Sequence, residues 1–262
     1  MGAKIISVAN QKGGVGKTTT CVNLCASLAA MKRRVLLVDF DPQGNASVGC
    51  GVQTREGVLT VDKVLLNKAN VDEAIITLEH GFDLLPANSD LIAAELQLLR
   101  LNRREYCLRK MLAPLRQHYD IIMIDCPPSL NILTVNALIA SHSVLIPVQC
   151  EYYSLEGLAG LLNTVERIRR SGNPGLTIEG LLRTMYDGRN RLTIEVSDQL
   201  QGHFPQQVYQ TVVPRNVRLA EAPSHGQPAL VYDNRSQGAV AYLALAAELL
   251  RRQLEAVATE VA

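Results

Sequence analysis

Short runs of consecutive apolar residues alternate along this chain with longer stretches of helical period. Positions 5–9, 34–38, 82–86, 119–125, 143–148, 178–185 and 208–213 read as strands. Several of these runs are apolar at successive positions, which predicts strands covered on both faces, as in a parallel sheet. Between them, positions 21–29, 89–101, 105–115, 131–140, 155–170 and 236–256 read as helices, with Ser89 and Ser236 as starting residues and Pro114 near the end of the third. The helix at 155–170 has the plainest pattern. Leu158, Leu161, Leu162, Val165 and Ile168 share one face, and Glu166, Arg167, Arg169 and Arg170 the other. Thr60 predicts a short helix over 61–66, while 71–77 reads either as a helix or as a strand at an edge. Strand and helix thus alternate throughout. With right-handed crossovers this predicts an α/β fold, a mostly parallel twisted β-sheet with helices on both faces, in a single domain over 1–262.

Composition narrows the function classes. The 262 residues carry a net charge of +1, so any surface for a polyanion must be local. The six cysteines (21, 25, 50, 107, 126 and 150) form no C-x-x-C pair. Cys21 and Cys25 lie one helical turn apart with no second pair nearby, which favours core packing over a metal site. Reduced cysteines, no signal peptide and no run of 18 apolar residues lead to the expectation of a cytoplasmic protein. The basic cluster Arg100, Arg103, Arg104, Arg109 and Lys110 reads as a solvated helix face, with phosphate contact left open.

The chemistry concentrates after the first strand. Lys12-Gly13-Gly14-Val15-Gly16-Lys17-Thr18-Thr19 joins that strand to a helix, the context a phosphate-binding loop requires. Glycines let successive backbone N–H groups converge on one anion, and the helix start adds its positive dipole end. Lys17 is placed to reach β- and γ-phosphates and Thr18 to ligate Mg²⁺. The match to G-x-x-x-x-G-K-[ST] is incomplete, because Gln11 stands where the first glycine belongs and a second lysine, Lys12, precedes the glycines. Two further strands end in acids. Asp39 and Asp41 close the strand at 34–38, and Asp125 closes the one at 119–125. Carboxylates at such ends face the crevice where ligands sit in open α/β sheets.

Lys-Gly-Gly-Val-Gly-Lys-Thr-Thr resembles the deviant Walker A motif of the ParA/MinD class of P-loop ATPases. Asn10-Gln11, the run from Asp39 to Asn45, Cys126-Pro127-Pro128-Ser129-Leu130 and the stretch from Val213 to Ser224 resemble ParA/Soj partitioning ATPases, over nearly the whole chain. The resemblance implies a P-loop NTPase fold, ATP and Mg²⁺ as ligands, and slow, partner-stimulated hydrolysis. It places Asp39 and, through water, Asp125 around the metal with Thr18, and gives Asp41 the attacking water. Lys12 would cross into a partner subunit and touch its phosphates. Met185, Pro214 and Asn216 would border the adenine, and Arg189 and Arg218 would contact DNA. The implied partners are nonspecific double-stranded DNA, a ParB/Spo0J-like centromere-binding protein and a second copy in an ATP-dependent homodimer associated with the nucleoid. The first strand begins almost at the start of the chain, so operator binding through an N-terminal helix-turn-helix is not expected. A MinD-like membrane switch needs a basic amphipathic helix at the C-terminus; residues 254–262 are acidic and small instead. A metal-cluster carrier is disfavoured by the cysteine spacing.

Overall fold

The predicted strands pair into one sheet. In the computed structural model, which describes residues 2–55, 57–152 and 154–261, eight strands run β1 (Lys4–Val8), β2 (Val35–Asp39), β3 (Ile76–Thr77), β4 (Asp83–Leu85), β5 (Ile121–Asp125), β6 (Ser143–Gln149), β7 (Thr177–Tyr186) and β8 (Val208–Pro214). Their order across the sheet is β3-β4-β2-β5-β1-β6-β7-β8. Every neighbouring pair is parallel except β3 with β4, an antiparallel pair at one edge. The α/β architecture read from the alternating pattern is the one observed.

Period-two alternation inside fully apolar strands divides the core in two. From β2, Leu36 and Val38 point to one face and Val35 and Leu37 to the other; β5 splits Ile122 and Ile124 from Ile121 and Met123 in the same way. Helix Lys17–Ala30 and the C-terminal helix Gln237–Val261 cover one face through Leu24, Leu28, Tyr242, Leu245 and Leu249. Helices Asp90–Leu98, Cys107–Leu112, Ile132–Ala140, Ser154–Ser171 and Arg191–His203 cover the other.

Several boundaries differ from the pattern, each for a local reason. Residues 71–77 divide into helix Val71–Ala74, capped by Asn70, and β3. The segment 105–115 becomes a 3-10 turn (Arg104–Tyr106), a helix (Cys107–Leu112) and a second 3-10 turn opening at Pro114, whose ring removes the N–H that would continue the α-helix. Helix Arg191–His203 is not visible in the sequence pattern. It buries only Thr193, Val196, Ser197 and Leu200, two of them polar, so its apolar stripe is faint. Asn190 starts it, its Oδ1 accepting from Leu192 N at 3.0 Å.

The far edge of the sheet is closed by the C-terminal helix. Glu248 accepts from Gln210 N and Thr211 N, both at 2.9 Å, and from Thr211 Oγ1 at 2.7 Å, so β8 does not present those donors to another chain. Tyr209 is buried there with the Arg252 guanidinium 4.3 Å above its ring centre. Gly180 on β7 makes room for that ring: a Cβ at 180 would lie 2.3 Å from Tyr209 Cε2. Gly180→Ala is therefore expected to destabilise the fold by about 1–3 kcal/mol through overpacking. Urea unfolding checks it; the midpoint falls at unchanged m-value, and a wild-type midpoint refutes the packing argument.

Candidate functional site

Parallel register brings the acids together. Asp125 of β5 aligns with Val8 of β1 on one side and with Asp39 of β2 on the other. Adjacent strands lie about 4.8 Å apart, so two carboxylates stand side by side at the carboxyl edge, beside the loop that leaves β1.

That loop is held by side chains from neighbouring strands and turns. Asn10 Nδ2 donates to Pro147 O at 2.7 Å, and its Oδ1 accepts from Lys12 N at 3.0 Å. Thr184 Oγ1 donates to Val15 O at 2.9 Å. Gly14 and Gly16 adopt left-handed φ angles of 74° and 88°, which a β-carbon would strain. Gly16 is also the N-cap of helix Lys17–Ala30, and having no side chain it leaves the first turn without a side-chain cap. Such a terminus accepts an anion. Lys17 is 7% exposed and reaches back to Lys12 O at 3.2 Å. Burial pushes its pKa down, opposed by the charges of Asp125 and Asp41.

The three acids have different surroundings. Asp39 is fully buried; its Oδ2 accepts from Ser47 N at 2.8 Å and Ser47 Oγ at 2.7 Å, and its Oδ1 from Asp41 N at 3.3 Å. It thereby anchors the short helix Asn45–Gly49. Asp125 is buried with far less support. Cys21 Sγ donates to its Oδ1 at 3.5 Å, while Oδ2 has no hydrogen-bond partner among the described residues. Burial raises Asp39 to about 6 and, with the Asp39 charge adding to it, raises Asp125 to about 8. An orphaned buried carboxylate oxygen next to the Thr18 hydroxyl is a donor set that suits a hard, oxygen-seeking cation such as Mg²⁺. Asp41 is more accessible to ligand. It accepts from Gln43 N at 3.0 Å and lines a cavity of about 340 Å³ with Gly13, Gly14, Lys17, Thr18 and Pro128.

A second cavity of about 180 Å³ adjoins the first at Gly16, Thr19 and Met185. Met185, Pro214 and Asn216, three positions singled out in the sequence, all line it, with Val213, Leu219 and Tyr242 supplying apolar and aromatic surface. Met185 sits at φ +49°, a costly conformation for a residue with a β-carbon, at the junction of the two cavities. Asn216 Oδ1 accepts from Arg218 N at 3.0 Å and so caps helix Val217–Glu221.

Lys12 and the two arginines lie outside both cavity linings. Lys12 Nζ pairs with Glu151 Oε2 at 2.6 Å. Arg189 forms a two-pronged pair with Asp187, both distances being 2.9 Å, and is 91% exposed. Arg218 bridges Glu221 at 2.7 Å and Asp233 at 3.3 Å. Both follow the carboxyl ends of β7 and β8, neighbouring strands. Sequence reasoning missed Thr184, Ser47, Glu151 and Tyr242. None belongs to a motif; Ser47 reaches Asp39 through the local turn into helix Asn45–Gly49, and the other three reach the site only through tertiary packing. Asn10 carries part of the family resemblance, and its role as a brace for the loop emerges only from the fold.

This geometry has counterparts among known proteins. A family model described as an AAA domain matches residues 3–178. The chain is 53% identical to the sporulation initiation inhibitor protein Soj of Bacillus subtilis, covering 94% of this chain and 98% of Soj. It is 49% identical to the chromosome partitioning protein ParA of Myxococcus xanthus, covering 95% and 88% respectively. Among solved structures, the cobyrinic acid a,c-diamide synthase of Mycobacterium smegmatis, with bound ADP and magnesium, superposes with a TM-score of 0.85 at 37% identity, over 96% of this chain and 95% of that one.

The raised carboxyl pair makes stability depend on pH. A carboxyl whose folded pKa exceeds its unfolded value of about 4 stabilises the fold fully below that value, and loses the contribution as pH rises through about 6 for Asp39 and about 8 for Asp125. In chelator-containing buffer without nucleotide, stability is expected to fall from pH 5 to pH 8. Asp125→Asn removes one ionisation at constant shape. Its urea midpoint should exceed wild type at pH 8 and vary less with pH; parallel pH curves for the two proteins would contradict this.

Proposed function

The chain belongs to the ParA/Soj family of partitioning ATPases, and we propose that it works as a nucleotide-timed DNA switch. In this reading the ATP-bound dimer holds nonspecific duplex DNA on the nucleoid. Hydrolysis, stimulated by a ParB/Spo0J-like partner, releases it. One observation carries the nucleotide part: an uncapped helix start and a buried lysine face a buried carboxylate oxygen that lacks a partner among the described residues.

The loop N–H groups and Lys17 bind and orient the phosphates of ATP. Thr18 and Asp125 hold Mg²⁺, which supplies charge to the phosphate oxygens, and Asp39 steadies the segment from Asp41 to Ser47. Asp41 positions the attacking water, the usual task of a carboxylate in phosphoryl transfer, where geometry and charge supply most of the catalysis. The cavity bordered by Met185, Pro214 and Asn216 takes the adenine. Lys12, at the rim, exchanges Glu151 for a partner's phosphates when two copies meet across this face. Asp41→Ala is expected to retain ATP-dependent dimers by light scattering and to slow phosphate release at least about 100-fold. Normal turnover removes Asp41 from the mechanism.

For DNA, the support is the pair of exposed arginines on neighbouring loops, already splayed in the planar geometry that grips an oxyanion. A phosphate can replace Asp187 or Glu221. Binding of this kind reads backbone rather than sequence, so affinity should fall steeply with salt. The deciding experiment measures binding to a random-sequence duplex with Mg²⁺ and either ATP or ADP across a salt series. The expected result is binding with ATP that is far tighter, and persists to higher salt, than binding with ADP. In Arg189→Ala and Arg218→Ala the log–log salt slope should be shallower by about 0.9 for each phosphate no longer neutralised. Equal binding with both nucleotides overturns the switch.

A further inference from the structure

A second concentration of positive charge lies away from these arginines. Arg100, Arg103, Arg104, Arg109, Lys110 and Arg116 are all exposed, and among the described residues none pairs with a carboxylate. Glu105 is the one acid from position 100 to 116. Elsewhere several exposed arginines hold a carboxylate, among them Arg34, Arg170, Arg189, Arg191, Arg218 and Arg251. In a chain of net charge +1, this segment is a local cationic ridge.

The ridge is held in shape. Arg103 turns the chain at φ +54°, its guanidinium 5.5 Å from the Tyr106 ring centre. Arg104 Nη1 donates to Leu99 O at 2.8 Å. The buried Asn136 of helix Ile132–Ala140 clamps the turn from below, donating to Arg104 O at 3.0 Å and accepting from Leu108 N at 3.1 Å. At the far end Arg116 meets His142 Nε2 at 3.1 Å, and with burial the charges of Arg116, Lys4 and Arg109 push that imidazole's pKa down. Beside the ridge runs a groove of about 400 Å³ lined by Asn67, Asn70, Asn102 and Lys110, with Leu101 and Pro114.

Its position separates it from the nucleotide site. Arg116 O accepts from Ala3 N at 2.6 Å and His142 Nδ1 from Ile5 N at 2.9 Å, at the start of β1. Arg116 thus sits at the amino edge of the sheet, opposite the carboxyl edge that carries Asp39 and Asp125. We propose that this ridge and its groove form a second site for the phosphate backbone of a nucleic-acid duplex, one that is present without nucleotide. Five of the six cations are arginines, whose forks suit phosphodiester oxygens, and the groove adds amide groups able to hydrogen-bond sugar and phosphate. Leu99 and Leu101 are exposed beside it, which makes an anionic membrane the competing ligand.

The test uses the full chain without nucleotide, a condition in which the ATP-dependent switch is off. Anisotropy with a short random-sequence duplex is measured at low ionic strength and across a salt series. Wild type is expected to bind. Arg103→Gln with Arg104→Gln and Arg109→Gln should lower low-salt affinity at least about tenfold and make the log–log salt slope shallower by about 0.9 for each phosphate no longer neutralised. Phosphate release by that variant should stay at the wild-type rate, which also reports its folding. Arg189→Ala with Arg218→Ala should leave nucleotide-free binding unchanged, which separates this site from the proposed switch. Should the triple variant misfold, Lys110→Gln and Arg116→Gln, each taken singly, are expected to lower the slope by about 0.9. No binding by wild type, an unchanged slope in the variants, or binding to phosphatidylglycerol vesicles in place of duplex overturns the proposal.

Discussion

Two carboxylates buried side by side at the ends of β2 and β5 set the terms for the rest of the molecule. Removing a carboxylate from water is costly unless donors or a cation replace the missing hydration. Asp39 is supplied with backbone and hydroxyl donors from Ser47 and Asp41. Asp125 has only the Cys21 thiol and the Thr18 hydroxyl beside it, and its Oδ2 has no hydrogen-bond partner among the described residues. The strand that contributes the phosphate loop, β1, lies directly beside Asp125, so the loop, Lys17 and the bare oxygen meet in one place. A ligand combining a cation with anionic oxygens satisfies all three at once, and its binding free energy adds to the stability of the fold.

The same pair explains how chemistry at the loop is coupled to nearby segments. Asp39 does not only carry charge; through Ser47 it fixes helix Asn45–Gly49, and Ser47 Oγ accepts from Ala87 N at 3.0 Å beyond β4. Asp41 lies between the two, on a turn closed by Gly44 at a left-handed φ of 64°. A change of charge at the cavity is therefore felt by a segment that presents Asp41, Gln43 and Asn45 to the cavity. On the other side, Thr184 ties the loop to β7, which leads into Met185 and the loop of Arg189. The glycine loop, the Met185 cavity and the Arg189 loop are successive stations on one strand end.

Several exposed cations are neutralised by an acid, as Arg170 is by Glu166 and Arg191 by Glu195, and such surface pairs contribute little to stability. The ridge from Arg100 to Arg116 gathers cations with no such partner among the described residues on a backbone clamped by Asn136. Unpaired like charges held on a rigid turn repel one another, and an external polyanion relieves that repulsion.

Elements whose signal is local could be read along the chain. Apolar runs marked seven of the eight strands because a buried parallel strand needs no polar alternation, and the glycine loop was legible because its backbone conformation demands glycine at Gly14 and Gly16. Asp39, Asp41 and Asp125 could be singled out because each follows such a run. Helix Arg191–His203 stayed hidden since half of its buried face is Thr193 and Ser197. Adjacency came from the fold: Asp39 and Asp125 share a register row, Thr184 and Tyr242 reach the loop and its cavity, and Lys12 rests on Glu151 139 residues away. Those meetings depend on strand order and register, and the strand order β2-β5-β1-β6 is set by how two faces of helices bury a shared sheet rather than by any stretch of chain taken singly.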